Sequence, residues 1–214
     1  MIFFDIDNTL IDYNASEKKA ITELILTNCN YEINEEQYEY WHVISQKFFQ
    51  KFLDKILTFE EQGTERILAF AKYCNIDMNE KEALNIFKKY QPILLENWCL
   101  FDDVKYTLDH LKSKRLGIIS NGKSLQQSQK LTVTGIDDYF DIKVFSEDVG
   151  SSKPSPDIFK YAQEKSGVDF KYMVYVGDNY DVDILPCIEL DIKSFYINRD
   201  LDVKEHENQI KSLK

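Results

Sequence analysis

The chain opens with MIFFDIDNTLID at residues 1–12, where an apolar run leads directly into acidic and polar side chains. Residues 2–6 predict a short buried strand, and side chains alternate along a strand, so Asp5 and Asp7 would share one face. Two carboxylates on one face repel each other unless a positive charge lies between them. The rest of the chain must therefore supply that charge or explain its absence.

From residue 103 onward, the sequence alternates between helical segments and short apolar runs. The pattern predicts helices at residues 103–114, 124–131, 156–165 and 181–190, and strands at residues 116–120, 143–145, 172–176 and 193–197. Such alternation is typical of an α/β fold with a Rossmann-like, doubly wound parallel sheet, to which the opening strand would belong. This domain is predicted to comprise residues 1–13 and 96–214. Its last residues, 201–214, lack periodicity and are predicted to form a surface helix or a frayed tail.

Residues 14–95 carry four helix-start signals instead of strands. Each signal is a capping residue followed three positions later by Glu or Gln: Asn14 with Glu17, Asn34 with Gln37, Thr58 with Glu61, and Asn79 with Glu82. Apolar residues follow at helical spacing, which predicts four helices with buried stripes. We therefore predict an all-helical domain inserted into the α/β domain.

The composition of the chain indicates which classes of partner are disfavoured and which cellular compartment is expected. The 214 residues include 37 acidic and 26 basic side chains, and the net charge of -11 disfavours nucleic acid polymers and anionic membrane surfaces as partners. No apolar stretch is long enough to cross a membrane. The four cysteines form no C-x-x-C pair, so thiols in a reducing, cytoplasmic location are expected.

Ligands of open α/β sheets bind beyond the carboxyl ends of the strands. The side chains predicted at those ends are four carboxylates, one hydroxyl and one ammonium, contributed by Asp5, Asp7, Asp178, Asp183, Ser120 and Lys153. Four converging carboxylates need a cation, and an all-oxygen set without nearby histidine or thiolate favours Mg²⁺. The residues therefore predict a magnesium site, and the ion is the positive charge that the opening segment requires.

Ser120, Lys153 and the backbone N–H of Asn121 would complete a cradle for a dianionic phosphoryl group. This set favours attack by one aspartate on phosphorus, which gives an aspartyl-phosphate that water then removes. The second aspartate would protonate the leaving oxygen and activate the water.

Four segments, in this order, resemble the motifs of the haloacid dehalogenase-like (HAD) hydrolase superfamily. They are D-x-D-N-T at residues 5–9, I-I-S-N-G at 118–122, K-P-S-P-D-I-F at 153–159 and V-G-D-N-Y-D-V-D at 176–183. The helical insertion resembles the C1-type cap of subfamily I, as in its phosphatase and nucleotidase-like members. Such a cap would exclude water and select the leaving group.

The resemblance implies a role for each matching residue. Asp5 would be the nucleophile and a metal ligand, and Asp7 the general acid and base, with its backbone carbonyl on the metal. Ser120 would bind the substrate phosphate, and Lys153 would steady the nucleophile and the phosphoryl group. Asp178 would be a direct metal ligand, and Asp183 a second acid that acts through water or through Lys153. Asp181 is an extra acid in the same segment, and which of Asp181 and Asp183 lies in the metal shell is left open.

The expected function is Mg²⁺-dependent hydrolysis of a small phosphate monoester, with nucleoside monophosphates placed ahead of sugar phosphates. Asp7 argues against a 2-haloacid dehalogenase, because that chemistry has no alkoxide to protonate. Phosphonatase and phosphomutase chemistry on the same core, and a non-catalytic binding protein, are the alternatives. The exact substrate, the roles of cap residues such as Tyr38, Tyr40 and Trp41, and the oligomeric state are left open.

Overall fold

The computed structural model describes residues 1–199 and 209–213. The chain divides into two compact units, Met1–Tyr13 with Trp98–Lys214 and Asn14–Asn97. Among the described residues, we find no helix with the length and apolar character of a membrane span.

The first unit contains a parallel sheet. Its strands are Ile2–Phe4 (β1), Leu116–Ser120 (β2), Ile142–Phe145 (β3), Val174–Gly177 (β4), Lys193–Ile197 (β5) and Gln209–Ile210 (β6). In the described part of the chain, the strand order is β3-β2-β1-β4-β5-β6, and every pair is parallel. Phe3 of β1 is paired with Gly117 on one side and Tyr175 on the other. The predicted doubly wound sheet is confirmed, and its strand order reverses direction beside β1, where such folds bind ligands.

The second unit is helical. Its helices are Tyr13–Cys29 (α1), Glu35–Leu53 (α2), Phe59–Tyr73 (α3) and Glu80–Glu96 (α4). Three predicted capping boxes are present, at the starts of α2, α3 and α4. The side chains of Asn34, Thr58 and Asn79 each accept a hydrogen bond from the backbone N–H three residues later. The Glu or Gln side chain at that later position accepts one from the backbone N–H of the capping residue.

The predicted start of the first helix was wrong by two residues. Helix α1 begins at Tyr13, so Asn14 lies inside its first turn and not at its N-cap. The chain is already fixed just before this point, because the backbone N–H of Asp12 donates to the carbonyl of Cys99 (3.0 Å). A distant contact therefore sets this helix start.

Aromatic packing forms the core of the helical unit. Trp41 is fully buried and meets Phe70 and Tyr90 edge to face, with ring centroids 5.4 and 5.5 Å away. Tyr38 is also buried, and its hydroxyl donates to the carbonyl of Asn14 (2.9 Å). Tyr40 stacks on Tyr73. The three aromatic residues whose roles the sequence leaves open are thus engaged in packing within this unit.

The remaining helices belong to the first unit. They are Val104–His110 (α5), Ser124–Val133 (α6), Ser146–Val149 (α7), Pro156–Ser166 (α8) and Leu185–Glu189 (α9). Short 3-10 turns occur at Asp137–Tyr139 and Phe170–Tyr172.

Two predictions in this unit need correction. The segment predicted as one helix at 181–190 is a π-type turn, Tyr180–Ile184, followed by α9. Pro186 lacks a backbone N–H and suits the first turn of a separate helix. The tail prediction for residues 201–208 lies outside the described residues, whereas Gln209–Ile210 form β6 and not a helix or a frayed end.

Candidate active site

The first site segment follows β1 and turns sharply. The N–H of Asp5 donates to the carbonyl of Val176 (2.9 Å), which extends the pairing of β1 with β4 by one residue. Asn8 then adopts a left-handed backbone (φ 55°), which asparagine tolerates better than most residues, and its N–H donates to the carbonyl of Ile11 (2.8 Å). The turn keeps Asp5 and Asp7 at the carboxyl edge of the sheet.

Lys153 brings positive charge to this edge. Its side chain is 3% exposed, and Nζ donates to Asp5 Oδ1 (2.6 Å), Asp183 Oδ1 (2.7 Å) and the hydroxyl of Tyr175 (2.9 Å). Burial by itself lowers the pKa of the ammonium, but the negative charges of Asp183 and Asp5 outweigh burial and raise the pKa. Lys153 therefore stays charged and offsets two acids from separate segments.

The segment after β2 holds the backbone of Lys153 in place. Asn121 Nδ2 donates to the carbonyl of Lys153 (3.0 Å), and the N–H of Lys153 donates to Asn121 Oδ1 (2.8 Å). The neighbouring Ser120 is 1% exposed, and its Oγ accepts a hydrogen bond from Gln127 Nε2 (2.9 Å). The Asn121 side chain thus positions Lys153, a role that the sequence did not predict.

Three carboxylates meet beside Lys153. Among the described residues, oxygens of Asp5, Asp178 and Asp183 lie within 4.8 Å of one another. Burial, and then the charges of Asp183 and Asp7, raise the pKa of Asp5 to about 6 against the opposing effect of Lys153. Burial, and then the charges of Asp5 and Asp183, raise the pKa of Asp178 to about 8. When all three acids are ionised, the cluster therefore carries more negative charge than Lys153 offsets, and its all-oxygen donor set fits a hard divalent cation.

Within this cluster, Asp183 is the acid whose two carboxylate oxygens both accept hydrogen bonds. Its Oδ1 accepts from Lys153 and from the hydroxyl of Tyr175 (3.1 Å), and its Oδ2 accepts from the N–H of Asn179 (3.1 Å). Asp181 is exposed, so of the two acids left open by the sequence, Asp183 is the one within the site.

The carboxylates of Asp5 and Asp178 accept fewer hydrogen bonds from the described residues than that of Asp183. The hydrogen bond from Lys153 falls on Oδ1 of Asp5, and no described residue donates to its Oδ2. Asp178 Oδ1 accepts a long hydrogen bond from Thr9 Oγ1 (3.4 Å). These two carboxylates are accordingly better placed than Asp183 to bind a cation directly.

The carboxylate of Asp7 lies apart from the three-acid cluster. Both of its oxygens accept from Lys130 Nζ (2.6 and 2.7 Å), and Oδ2 also accepts from Gln127 Nε2 (3.3 Å). Both donors are on α6. The expectation that Asp7 offers its backbone carbonyl to a metal stays a prediction.

Three site residues escaped the sequence interpretation: Tyr175, Gln127 and Lys130. Tyr175 lies within an apolar strand and was indistinguishable from core. Gln127 and Lys130 resemble the polar face of an ordinary helix. Their spacing of three places them on one helix face, and α6 follows directly after the Ser120 segment. That combination places both side chains near the Ser120 segment, but it does not indicate their contact with Asp7.

Comparison with known proteins places the chain in a family. The model of the haloacid dehalogenase-like hydrolases matches residues 1–191. The chain belongs to this family. The predictions of the HAD family, of the fold class and of a phosphatase-type hydrolase are thereby confirmed.

Individual HAD proteins are similar over different shares of the chain. A glyceraldehyde 3-phosphate phosphatase from Methanothermobacter thermautotrophicus is 32% identical, with 97% of this chain and 89% of the relative covered. The pyrimidine 5'-nucleotidase YjjG from Escherichia coli is 42% identical, but the match covers only 39% of this chain and 38% of the relative. The crystal structure of the HAD-hydrolase YfnB from Bacillus subtilis, bound to magnesium, superposes with a TM-score of 0.78 at 23% identity, covering 99% of this chain and 94% of that one. This last likeness shows the fold alone.

Proposed function

We propose that the chain is a Mg²⁺-dependent phosphatase that hydrolyses a small phosphate monoester through an aspartyl-phosphate on Asp5. One observation carries the proposal: Asp5 is buried between the ammonium of Lys153 and the acids Asp178 and Asp183, at the sheet edge where Ser120 also lies. A carboxylate in this setting is held in one position and is surrounded by the groups that phosphoryl transfer requires.

The metal ligands in this proposal are the carboxylates of Asp5 and Asp178 and the backbone carbonyl of Asp7. When bound, Mg²⁺ supplies positive charge that offsets the phosphoryl dianion and the neighbouring acids. Asp183 supports the site indirectly, since both of its oxygens already accept hydrogen bonds.

The two proposed chemical steps use residues of the described site. In the first, an oxygen of Asp5 forms a bond to phosphorus, the ester bond breaks, and Asp7, after taking up a proton from solvent, gives that proton to the leaving oxygen. In the second, Asp7 takes a proton from a water molecule that attacks phosphorus, and the bond between Asp5 and phosphorus breaks. The products are an alcohol and inorganic phosphate. Ser120 and the N–H of Asn121 would hold the phosphoryl oxygens throughout, and Lys153 would offset their charge.

The helical unit, Asn14–Asn97, is proposed to act as the cap that excludes water and selects the leaving group. The similarity to the glyceraldehyde 3-phosphate phosphatase extends over 97% of the chain and so includes this unit, whereas the match to the nucleotidase covers 39%. We therefore place sugar phosphates ahead of nucleoside monophosphates as substrates, which reverses the order expected from the sequence.

An activity assay tests the proposal. Release of p-nitrophenol from p-nitrophenyl phosphate is measured with and without Mg²⁺ for the parent protein, for Asp5→Asn and for Asp181→Asn. We expect Mg²⁺-dependent turnover by the parent and by the Asp181 variant, because Asp181 is exposed. Asp5→Asn should be inactive, since an amide is a poor nucleophile. Equal rates for the parent and Asp5→Asn would refute the proposal, and a panel of phosphorylated sugars and nucleotides then ranks the substrates.

A further inference from the structure

Two residues of α6 determine the orientation of the Asp7 carboxylate. Lys130 Nζ contacts both oxygens (2.6 and 2.7 Å), and Gln127 Nε2 contacts Oδ2 (3.3 Å). The Asp7 side chain is 31% exposed and projects from a loop, so without these contacts it would sample several rotamers. Its direction is therefore imposed from the helix.

Lys130 is itself held firmly. Its side chain is 4% exposed, and its ammonium lies 4.5 Å from the ring centroid of Trp98 and 5.5 Å from that of Tyr13. The two rings are 5.5 Å apart, so they form a joint aromatic wall beside the cation. Aromatic faces attract a cation and displace water from it, which strengthens its attraction to Asp7.

Stability alone gives little reason for this arrangement. Removing the lysine ammonium from water costs several kcal/mol by order of magnitude, and an apolar residue of similar volume often serves the fold equally well. A buried lysine that pairs with an acid at the candidate site therefore calls for an explanation in terms of that site.

Gln127 connects Asp7 to the proposed phosphate-binding segment. Besides its contact with Asp7, its Nε2 lies 2.9 Å from Ser120 Oγ and 2.9 Å from the carbonyl of Asn121. One amide group thus links the proposed proton donor to the residues proposed to hold the phosphoryl oxygens. The amide has two N–H groups for these three acceptors, and its contact with Asp7 is the longest, so Lys130 makes the stronger contacts with Asp7.

We infer that Lys130 is a positioning residue that, together with Gln127, holds the Asp7 carboxylate in reach of the leaving oxygen. The inference rests on the proposed function, because it requires Asp7 to be the group that protonates this oxygen. The inference adds the Lys130 ammonium to the residues of the proposed site, where it acts through Asp7 and not on the phosphoryl group.

The test compares two substrates that differ in their need for a proton. Phenyl phosphate and p-nitrophenyl phosphate have similar shapes, but p-nitrophenolate departs with little help from an acid. With enzyme in excess over substrate, release of the phenol reports the first chemical step alone. For Lys130→Met we expect about a 100-fold slower release from phenyl phosphate, the lower range of a general acid's contribution, and only a few-fold change with p-nitrophenyl phosphate. Lys130→Arg should recover most of the loss.

A double-mutant cycle separates positioning from a structural role. If Lys130 acts through Asp7, Lys130→Met in an Asp7→Asn background should cause no further loss with phenyl phosphate. The matched control is Lys143→Met, which removes a lysine paired with Asp137 (2.7 Å) away from the site and should leave both substrates unaffected. Gln127→Leu is a second variant in case Lys130→Met does not fold. It should also slow release from phenyl phosphate more than release from p-nitrophenyl phosphate.

Equal slowing with both substrates, or additive losses in the cycle, would overturn the inference while the parent remains active. A parent without Mg²⁺-dependent release from either substrate would instead overturn the proposed function, and the inference with it. The two failures are distinguished by the parent protein alone.

Discussion

Gly177, the last residue of β4, shows how closely the site segments approach one another. A Cβ built on Gly177 would lie 2.5 Å from Asp183 Cγ and Oδ2, far inside van der Waals contact. Asp183 in turn accepts from Lys153, which contacts Asp5. A single methyl group at Gly177 would therefore disturb the alignment of the proposed nucleophile through two intermediate side chains.

We predict that Gly177→Ala lowers kcat at least about 10-fold and the free energy of unfolding by about 1–3 kcal/mol, the usual cost of overpacking. The matched control is Gly167→Ala, which has open space around the new Cβ but a left-handed backbone (φ 66°). It should cost about 1 kcal/mol of backbone strain and leave kcat unchanged. The two variants are compared by urea unfolding and steady-state kinetics, and equal activity in both would contradict the steric account.

The individual site residues differ in how far the sequence predicts them. Asp5, Ser120, Lys153 and Asp178 stand at strand ends or helix starts, and their order along the chain suffices to single them out. Lys130 does not stand out, because its importance lies in a contact with Asp7 from a segment far away in sequence. Such contacts depend on which strands become neighbours, and no local pattern encodes that.

At the scale of elements, a helix start could be predicted from the sequence where local hydrogen bonds fix it, and could not be predicted where a distant contact does. The starts of α2, α3 and α4 each depend on bonds between residues three positions apart, so the sequence contains the whole signal. The start of α1 depends on the contact of Asp12 with Cys99. The π-type turn Tyr180–Ile184 likewise escaped prediction, although it lies where Asp183 turns inward to Lys153.

The two kinds of helix start predict different effects of alanine. Thr58→Ala removes a working N-cap and should lower the free energy of unfolding by about 1 kcal/mol. Asn14→Ala should leave that free energy unchanged or raise it slightly, because Asn14 Oδ1 is buried and has no hydrogen-bond partner among the described residues, and alanine favours the helix. Urea unfolding monitored by circular dichroism measures both. A loss for Asn14→Ala as large as that for Thr58→Ala would show that Asn14 is a cap after all.

For the molecule as a whole, the alternation of helices and strands predicted the parallel sheet, and the four helix-start signals predicted the helical insertion. The central place of β1 and the addition of β6 could not be predicted, because strand order depends on long-range pairing. A consequence of that order is the concentration of acids at one edge. The fold brings Asp5 and Asp178 together because β1 and β4 are neighbours.

This concentration of acids predicts how stability depends on pH in the absence of metal. The pKa of Asp5 is raised to about 6 and that of Asp178 to about 8, above the ordinary value of 3.8. Between about pH 4 and pH 8, the folded protein therefore holds protons that the unfolded chain has released, so stability falls as the pH rises. Urea unfolding in the presence of a chelator should give a lower midpoint at about pH 8 than at about pH 5. Asp178→Asn should flatten this dependence, and a midpoint that rises with pH would contradict the account.

The central claim is that Asp5 and Asp178 share one divalent cation, and calorimetric titration of the metal-free protein with Mg²⁺ tests it most directly. Asp181→Asn is the matched control, because Asp181 is an exposed acid three residues along the chain from half-buried Asp178. We predict one binding site in the parent and in Asp181→Asn, and no binding in Asp178→Asn. Unchanged binding in Asp178→Asn, or no binding in the parent, would contradict the claim.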